Sequence, residues 1–502
     1  MGDAPDYDPQ SRVNTFLHVN HEPPETRPRY GTLMCVNGTG ILNRWLHDAI
    51  GGPEGLSYQQ MNEEAAAAPG WERGSTTPPK TPSRDWTLSI PSRQARARPT
   101  PTRRPTTAGV AFSPINSTLL PIMTDPSLHS LCRWTFHEGV GRFVPSGVRP
   151  DWGPDRFDSV DFVHLVREEV APRLPDHVEL GVELHYDNEY NEDNAAAVAD
   201  ALTETDLSLA MVTPGAHLHY GYGGIASLDP DERAEAEAFS ERCVELAYGP
   251  LRPGWSDDPA KAPSLVIWNG SFGYDLATPE LRRMYRNLKE SLAKLCQVEA
   301  EQGGDLYVTL EPKPNEGHPA MLIPTVASAI VMWHGIADEY DVSLDKKGVN
   351  KEIGHSEMVG LDHVHDTIEE LENDMMHHTH LNSQGYNDGI SLGGPGRFDV
   401  DRPVRINGMN VAIAGLMQDA GYDRWKGHDV QARPYDNTEQ ALDRVVRSVL
   451  SWEACEYAAD RLDAEQLRTH LANRGTAKAE DVMRGAVGEA QDWFDEHFSP
   501  VA

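Results

Sequence analysis

From Ser130 to Asp429 the chain repeats one unit, a short run rich in apolar and β-branched residues followed by a stretch with helical spacing. The runs fall at residues 130–136, 178–185, 208–213, 264–269, 306–311, 347–352, 376–382 and 424–429. Between them, Asp193–Thr203, Pro230–Tyr248, Pro279–Glu301, His363–Asn373 and Asn407–Ala420 place apolar residues on one helical face. Strands that alternate with helices pair in parallel, because each crossover returns the chain to the same end of the sheet. Eight units predict a closed (β/α)8 barrel, the TIM-barrel fold of the α/β class, over residues 125–435. Such a barrel keeps its chemistry at the C-terminal ends of its strands.

The flanks read differently. Residues 1–29 are rich in Pro and Asp without periodicity and are expected to be a disordered tail. Residues 30–70 look more structured: Gly38-Thr39-Gly40 precedes Ile41, Leu42, Trp45 and Leu46, spaced for one helix face. Residues 71–124 read as a basic, disordered linker, since Trp86 to Thr124 contains no acid while Arg93, Arg96, Arg98, Arg103 and Arg104 crowd among Pro, Thr and Ser. An RNA-binding arm would interleave aromatics with that charge, and this segment does not. Residues 436–502 are expected to form a C-terminal helical arm outside the barrel. Its stripe of Leu442, Val445, Val446, Val449 and Leu450, with Trp493, Phe494 and Phe498 near the end, predicts packing against a second copy.

Charge excludes one class of partner. A formal net charge of −34 leaves no basic face for a phosphate backbone, so nucleic acid is not expected. Lys supplies only 10 of the 44 basic residues, an acid-rich, Lys-poor balance like that of salt-in halophiles. No apolar run approaches the ~18 residues a membrane span needs. Met1 to Gln10 lacks the basic and apolar regions of a secretory signal. Cys35, Cys132, Cys243, Cys296 and Cys455 form no CxxC pair, which predicts free thiols and a cytoplasmic protein.

At the expected strand ends stand Trp134, His185, Asn269, Glu311, Glu352, His380 and Asp429. Carboxylates gathered where a barrel interior would want Val or Ile imply a cation among them. A mixed oxygen and nitrogen donor set suits Mg²⁺, Mn²⁺ or Co²⁺. Lys313, two residues beyond Glu311, projects to the same side. Gly393-Gly394-Pro395-Gly396, a weak match to a phosphate-binding loop, reads as a turn.

Two segments carry a family resemblance. Glu311-Pro312-Lys313-Pro314-Asn315-Glu316 resembles the EPKPNE strand end of xylose isomerases, and Gly348-Val349-Asn350-Lys351-Glu352-Ile353-Gly354-His355-Ser356-Glu357-Met358 is similar to their GVNPExGHEQM segment. Trp134-Thr135, Trp268-Asn269-Gly270 and Gly223-Gly224 also sit where that family has its pocket tryptophans and a glycine pair. The resemblance, over about Ser130 to Arg444, implies a barrel aldose–ketose isomerase with two divalent metal ions. It implies metal ligation by Glu311, Glu352, His355 and Asp429, with Lys313 holding the substrate carbonyl and His185 assisting ring opening. His217 matches a pocket histidine, and Trp134 and Trp268 the substrate-binding walls. Family members are dimers or tetramers that borrow an aromatic from a neighbour, for which Phe143 is the candidate.

This chain departs from the pattern at three places. His380 stands where the family has an aspartate, as in the related rhamnose isomerases. The Asp-x-Asp pair after that strand is represented by Asp388 alone, which is taken as the remaining ligand. The aspartate that orients the ring-opening histidine falls at Asn188, with Asp187 and Glu189 alongside. Residues 30–70, from Cys35 to Leu46 and Gly55 to Glu64, resemble a slice of xylulokinases; such a kinase consumes the product of xylose isomerase, which favours D-xylose as substrate. The expectation is metal-dependent conversion of D-xylose to D-xylulose by hydride shift. A rhamnose-type isomerase and a non-catalytic sugar-binding barrel are the alternatives, and retention of Lys313, Glu352 and His355 argues against the last.

Overall fold

A computed structural model describes residues 126–137, 152–153, 156–386, 390–391, 399–433 and 435–500, together with the backbone of an antiparallel pair, Val13–Leu17 with Tyr30–Met34. The chain divides into two units, Met1–Pro114 and Ile115–Ala502. In the first, strand Val13–Leu17 falls inside the stretch read as a tail. The rest of residues 1–29, most of the 30–70 segment and the 71–124 linker lie outside the described residues, as do Asp388, Phe143 and Gly393 to Gly396.

The second unit is a closed barrel of eight parallel strands. They are β1 (Ser127–Cys132), β2 (Val178–His185), β3 (Ser208–Thr213), β4 (Ser264–Trp268), β5 (Tyr307–Glu311), β6 (Lys347–Glu352), β7 (Met376–His380) and β8 (Lys426–His428). Each pairs with its sequence neighbours, and β8 closes onto β1. All eight expected runs are strands, with small shifts at the ends. The first begins and ends early: after Cys132 the chain turns into a short 3₁₀ segment, Arg133–Phe136. There the buried Arg133 guanidinium donates to the carbonyls of Phe136 and Phe157, which pulls the chain out of the sheet.

The helices between strands are α1 (Ser159–Leu165), α2 (Ala195–Thr205), α3 (Pro230–Tyr248), α4 (Leu281–Gln302), α5 (Val326–Tyr340), α6 (Ile353–Val359), α7 (His363–Glu372) and α8 (Gly408–Ala420). No helix among the described residues is long and apolar enough to cross a membrane. Cys132, Cys243, Cys296 and Cys455 are buried free thiols.

The period of two along each strand sorts side chains into two cores. Leu131, Val182, Leu184, Leu209, Leu265, Ile267, Val308, Leu310 and Val349 face outward and join helix residues such as Val198, Leu202, Leu288 and Leu292 in one apolar core. The inward set is polar. Apart from a plug of Leu128, Ala210 and Trp425 near the strand starts, it includes Ser130, Glu183, Asn350, His378 and His380, all buried. A barrel interior of this kind gives up apolar packing for a hydrogen-bonded network reaching up to the strand ends.

The C-terminal arm is α9 (Thr438–Arg461), α10 (Ala464–Ala472) and α11 (Thr476–His497). The stripe expected to seek a second copy is already covered: Leu442, Val445, Val446, Val449 and Leu450 are buried within this chain, packed with α8 and α11 residues such as Val411, Ala486 and Phe494. The arm folds back on its own barrel. The stripe therefore gives no argument for an oligomer.

A second polar network fastens α9 to the outside of β1 and β8. His129 Nε2 lies 2.8 Å from Glu453 Oε1, and His129 Nδ1 lies 2.8 Å from His428 Nε2. His428 Nδ1 reaches Ser448 Oγ at 2.9 Å, and His177 Nε2 meets Glu453 Oε2 at 2.6 Å. Lys426 Nζ donates to both Glu456 oxygens, at 2.7 and 2.9 Å. Burial alone would raise the Glu453 carboxyl, but the His129 and His177 hydrogen bonds hold it well below the ordinary range.

Candidate active site

Strand register brings the site residues to one height. Trp268 pairs with Glu311, Glu352 with His380, and His380 with Gly427. Glu311, Glu352 and His380 each offer a ligand atom within 4.8 Å of the others. His380 Nδ1 is 3.3 Å from Glu311 Oε2, 3.7 Å from Glu352 Oε2 and 4.0 Å from Asp429 Oδ2. The first turn of α6 then lifts His355 over the same acids, its Nε2 3.2 Å from Glu352 Oε2.

Asp399 completes that second group, with Oδ2 3.3 Å from His355 Nε2. It stands beside the ligand candidates where Asp388 had been expected. With Asp401 it forms an Asp-Val-Asp pair further along the same loop, and Gln384 holds both: its amide donates to Asp399 and, at 3.1 Å, to Asp401 Oδ1. Asn382 Nδ2 donates to Glu352 Oε1 at 2.7 Å and to Asp401 Oδ1 at 3.0 Å. Asp401 has φ of +38°, in the left-handed region, a conformation that costs a non-glycine residue on the order of 1 kcal/mol and gathers at functional sites.

Two histidines share one arrangement. His355 Nδ1 lies 3.0 Å from the Pro312 carbonyl, which can only accept, so that nitrogen carries a hydrogen and Nε2 is the one turned to the acids. His380 Nε2 lies 2.9 Å from Glu183 Oε2, and its Nδ1 faces the acids in the same way. Without a cation these two nitrogens take up protons against the carboxylates, which raise both imidazoles above their ordinary value; a divalent cation would replace those protons and take the lone pairs. Glu352 Oε2 has no hydrogen-bond partner among the described residues. Burial, then Asp399 and Asp429, push the Asp401 carboxyl well above its ordinary range; burial and then Glu352 do the same for Asp429. Burial alone would lower His380, but Glu183 and Glu311 raise it well above its ordinary value. Excess negative charge, a buried carboxylate oxygen that accepts no hydrogen bond and two fixed imidazoles fit divalent cations held by oxygen and nitrogen.

Aromatic rings beside the acids form a continuous wall. Ring centroids are 4.3 Å apart from Trp134 to His185, 5.6 Å from His185 to His217 and 4.3 Å from His217 to Trp268. The Lys313 ammonium lies 4.9 Å from the Trp268 ring centre and is paired with Asp399 and Glu316. Burial disfavours its charge, but Asp399 and Glu316 hold its pKa well above the ordinary lysine value. Trp134 Nε1 donates to Asp429 Oδ1 at 2.8 Å, tying the wall to the acids. Behind His185 the acid is Glu189 rather than Asn188: Oε2 accepts the His185 backbone N–H at 2.6 Å and lies 3.4 Å from Nδ1.

Sequence reasoning passed over Asp399, Asp401 and Glu183. The Asp-Val-Asp spacing was a readable signal for the first two. For Glu183 the signal was parity, since it precedes His185 by two on one strand face.

No protein-family model matches the chain. In sequence it is similar to the xylose isomerases of Thermus caldophilus and Thermus thermophilus, 28% and 27% identical over 244 residues. Each match covers 48% of this chain and 57% of the relative, so the chain spans little more than half the length of these relatives. Among solved structures it superposes on an L-ribulose 3-epimerase with a TM-score of 0.44 and 11% identity, covering 67% of this chain and 96% of the other. A D-psicose 3-epimerase from Clostridium cellulolyticum H10 gives 0.44 and 12%, covering 66% and 99%. A xylose isomerase domain protein from Planctomyces limnophilus gives 0.40 and 12%, covering 67% and 99%.

Proposed function

We propose, from this kinship with the xylose isomerases, that the protein is a divalent-metal-dependent aldose–ketose isomerase whose substrate is D-xylose. The observation that carries the reading is the pair of imidazoles, His355 and His380, each fixed by one nitrogen and facing the acid cluster with the other. Glu311, Glu352, His380 and Asp429 would hold one ion; Glu352, His355 and Asp399 would hold the second. Bound there, Mg²⁺, Mn²⁺ or Co²⁺ supplies Lewis-acid polarisation and a template for two substrate oxygens.

The chain's own residues do the rest. His185, backed by Glu189, takes the hydroxyl proton of the cyclic sugar as the ring opens. Lys313 donates to the carbonyl oxygen, and its two acid partners keep it charged in a buried setting. The Trp134, His217 and Trp268 rings keep water from the carbon pair while hydride passes from C2 to C1 and a proton passes from O2 to O1. The test is a panel of aldoses assayed with each metal: D-xylose is expected to turn over fastest, and absence of ketose from every sugar would overturn the reading. Assay in deuterated water separates the routes, because a hydride shift leaves the product unlabelled and an enediol route labels it. His380 supports a rhamnose-type aldose as second reading, decided by whether L-rhamnose outruns D-xylose in the same panel.

A further inference from the structure

Where the xylose isomerase pattern has an aspartate on the seventh strand, this chain has His380, and the exchange creates a requirement. A carboxylate presents an oxygen in any rotation; an imidazole presents a lone pair only if its other nitrogen holds the hydrogen. Something on the far side of the ring must accept that hydrogen. Glu183, fully buried on β2, stands there, with Oε2 2.9 Å from His380 Nε2.

The surroundings hold Glu183 in that pose. Oε1 accepts from Ser130 Oγ at 2.6 Å and lies 3.2 Å from His378 Nε2; Oε2 also lies 3.4 Å from Cys132 Sγ. Asn350 Nδ2 approaches His380 Nδ1 at 3.3 Å, as a donor would approach a lone pair. The backbone makes room: a Cβ on Gly427 would overlap Glu183 Oε1 and lie 2.7 Å from His380 Cδ2. We infer that Glu183 is the positioning residue that fixes the His380 tautomer, so that Nδ1 serves as a metal ligand, a role resting on the metal-site reading above. Such outer partners are worth about 10–100-fold in metal affinity.

Calorimetric titration of the metal-stripped full chain with Co²⁺ tests it. Wild type is expected to take two ions, and His355→Gln to identify which step belongs to the second. Glu183→Gln is expected to weaken the other step about 10–100-fold while leaving the His355 step unchanged. Both steps unchanged, or both weakened alike, would overturn the positioning role. A wild-type chain that binds no Co²⁺ would overturn the metal reading instead. Circular dichroism checks each fold; if Glu183→Gln does not fold, Ser130→Ala decides, with several-fold weakening of the same step expected and no change overturning the inference.

Discussion

Two buried clusters of histidines and acids lie on opposite sides of the same barrel wall, and they differ in whether their charges are answered. On the outside, Glu456 is gripped by Lys426, and Glu453 by His129, His177 and Ser127. On the inside, Glu311, Glu352, Asp399, Asp401 and Asp429 face Lys313 and two histidines, and Glu352 Oε2 accepts no hydrogen bond among the described residues, with His355 Nε2 3.2 Å away. Both contain groups spaced to hold a metal ion. The outer cluster balances its two acids with the Lys426 ammonium and hydrogen-bonded histidines, while the inner one gathers five acids around one ammonium and two imidazoles, the imbalance that the proposed metal ions would answer.

The largest expected effect lies on the inner side. Lys313→Ala should cut turnover by on the order of 10³-fold, the scale of losing a buried electrostatic donor. A collapse in stability with activity retained would make the inner cluster a joint as well. On the outer side the signs reverse: Glu453→Ala should cost about 3–5 kcal/mol of stability by leaving buried partners unpaired, with Co²⁺ affinity unchanged in titration. A smaller contrast comes from linkage. Saturating metal at about 100 times its Kd should stabilise the protein by about 2.7 kcal/mol, an increment that Glu352→Ala abolishes and Glu453→Ala keeps.

The comparison also explains what was legible. Most of the eight strands could be read from their apolar, β-branched runs and from the regular alternation with helices, and α3 matches its expected span end for end. Glu311, Glu352, His380 and Asp429 could be read because strand ends are topologically defined. Asp399 and Asp401 lie between β7 and α8, outside any strand or helix, where no periodicity assigns a residue to the pocket; Asp388, the acid expected there, lies outside the described residues. For Glu183 parity with His185 gives its inward face, but its role is legible only once its partners Ser130 on β1 and His380 on β7 are placed. The apolar stripe on α9 gave its helix face but not its partner, since a barrel wall and a second subunit ask for the same residues.

The smallest expected effect is a pH slope. Burial and then Lys426 lower the His129 pKa below 6.5, so in that window the unfolded chain binds a proton the folded chain refuses. Stability from His129 is therefore present at neutral pH and lost as pH falls below 6.5. The wild-type advantage over His129→Asn should shrink by up to about 1.4 kcal/mol per pH unit there, measured by urea unfolding across the range. A constant gap would mean that the outer cluster tolerates protonation.

Strand β8 alternates between the two clusters: Lys426 and His428 face α9, while Gly427 and the following Asp429 face the pocket. One short strand thus works as a lever with its two arms on either side of the wall. Removing α9 would free Lys426 and His428 of their partners Glu456 and Ser448, and Asp429, next on the same strand, would lose that anchorage. What looks like an appendage in a diagram belongs, mechanically, to the active site's foundation.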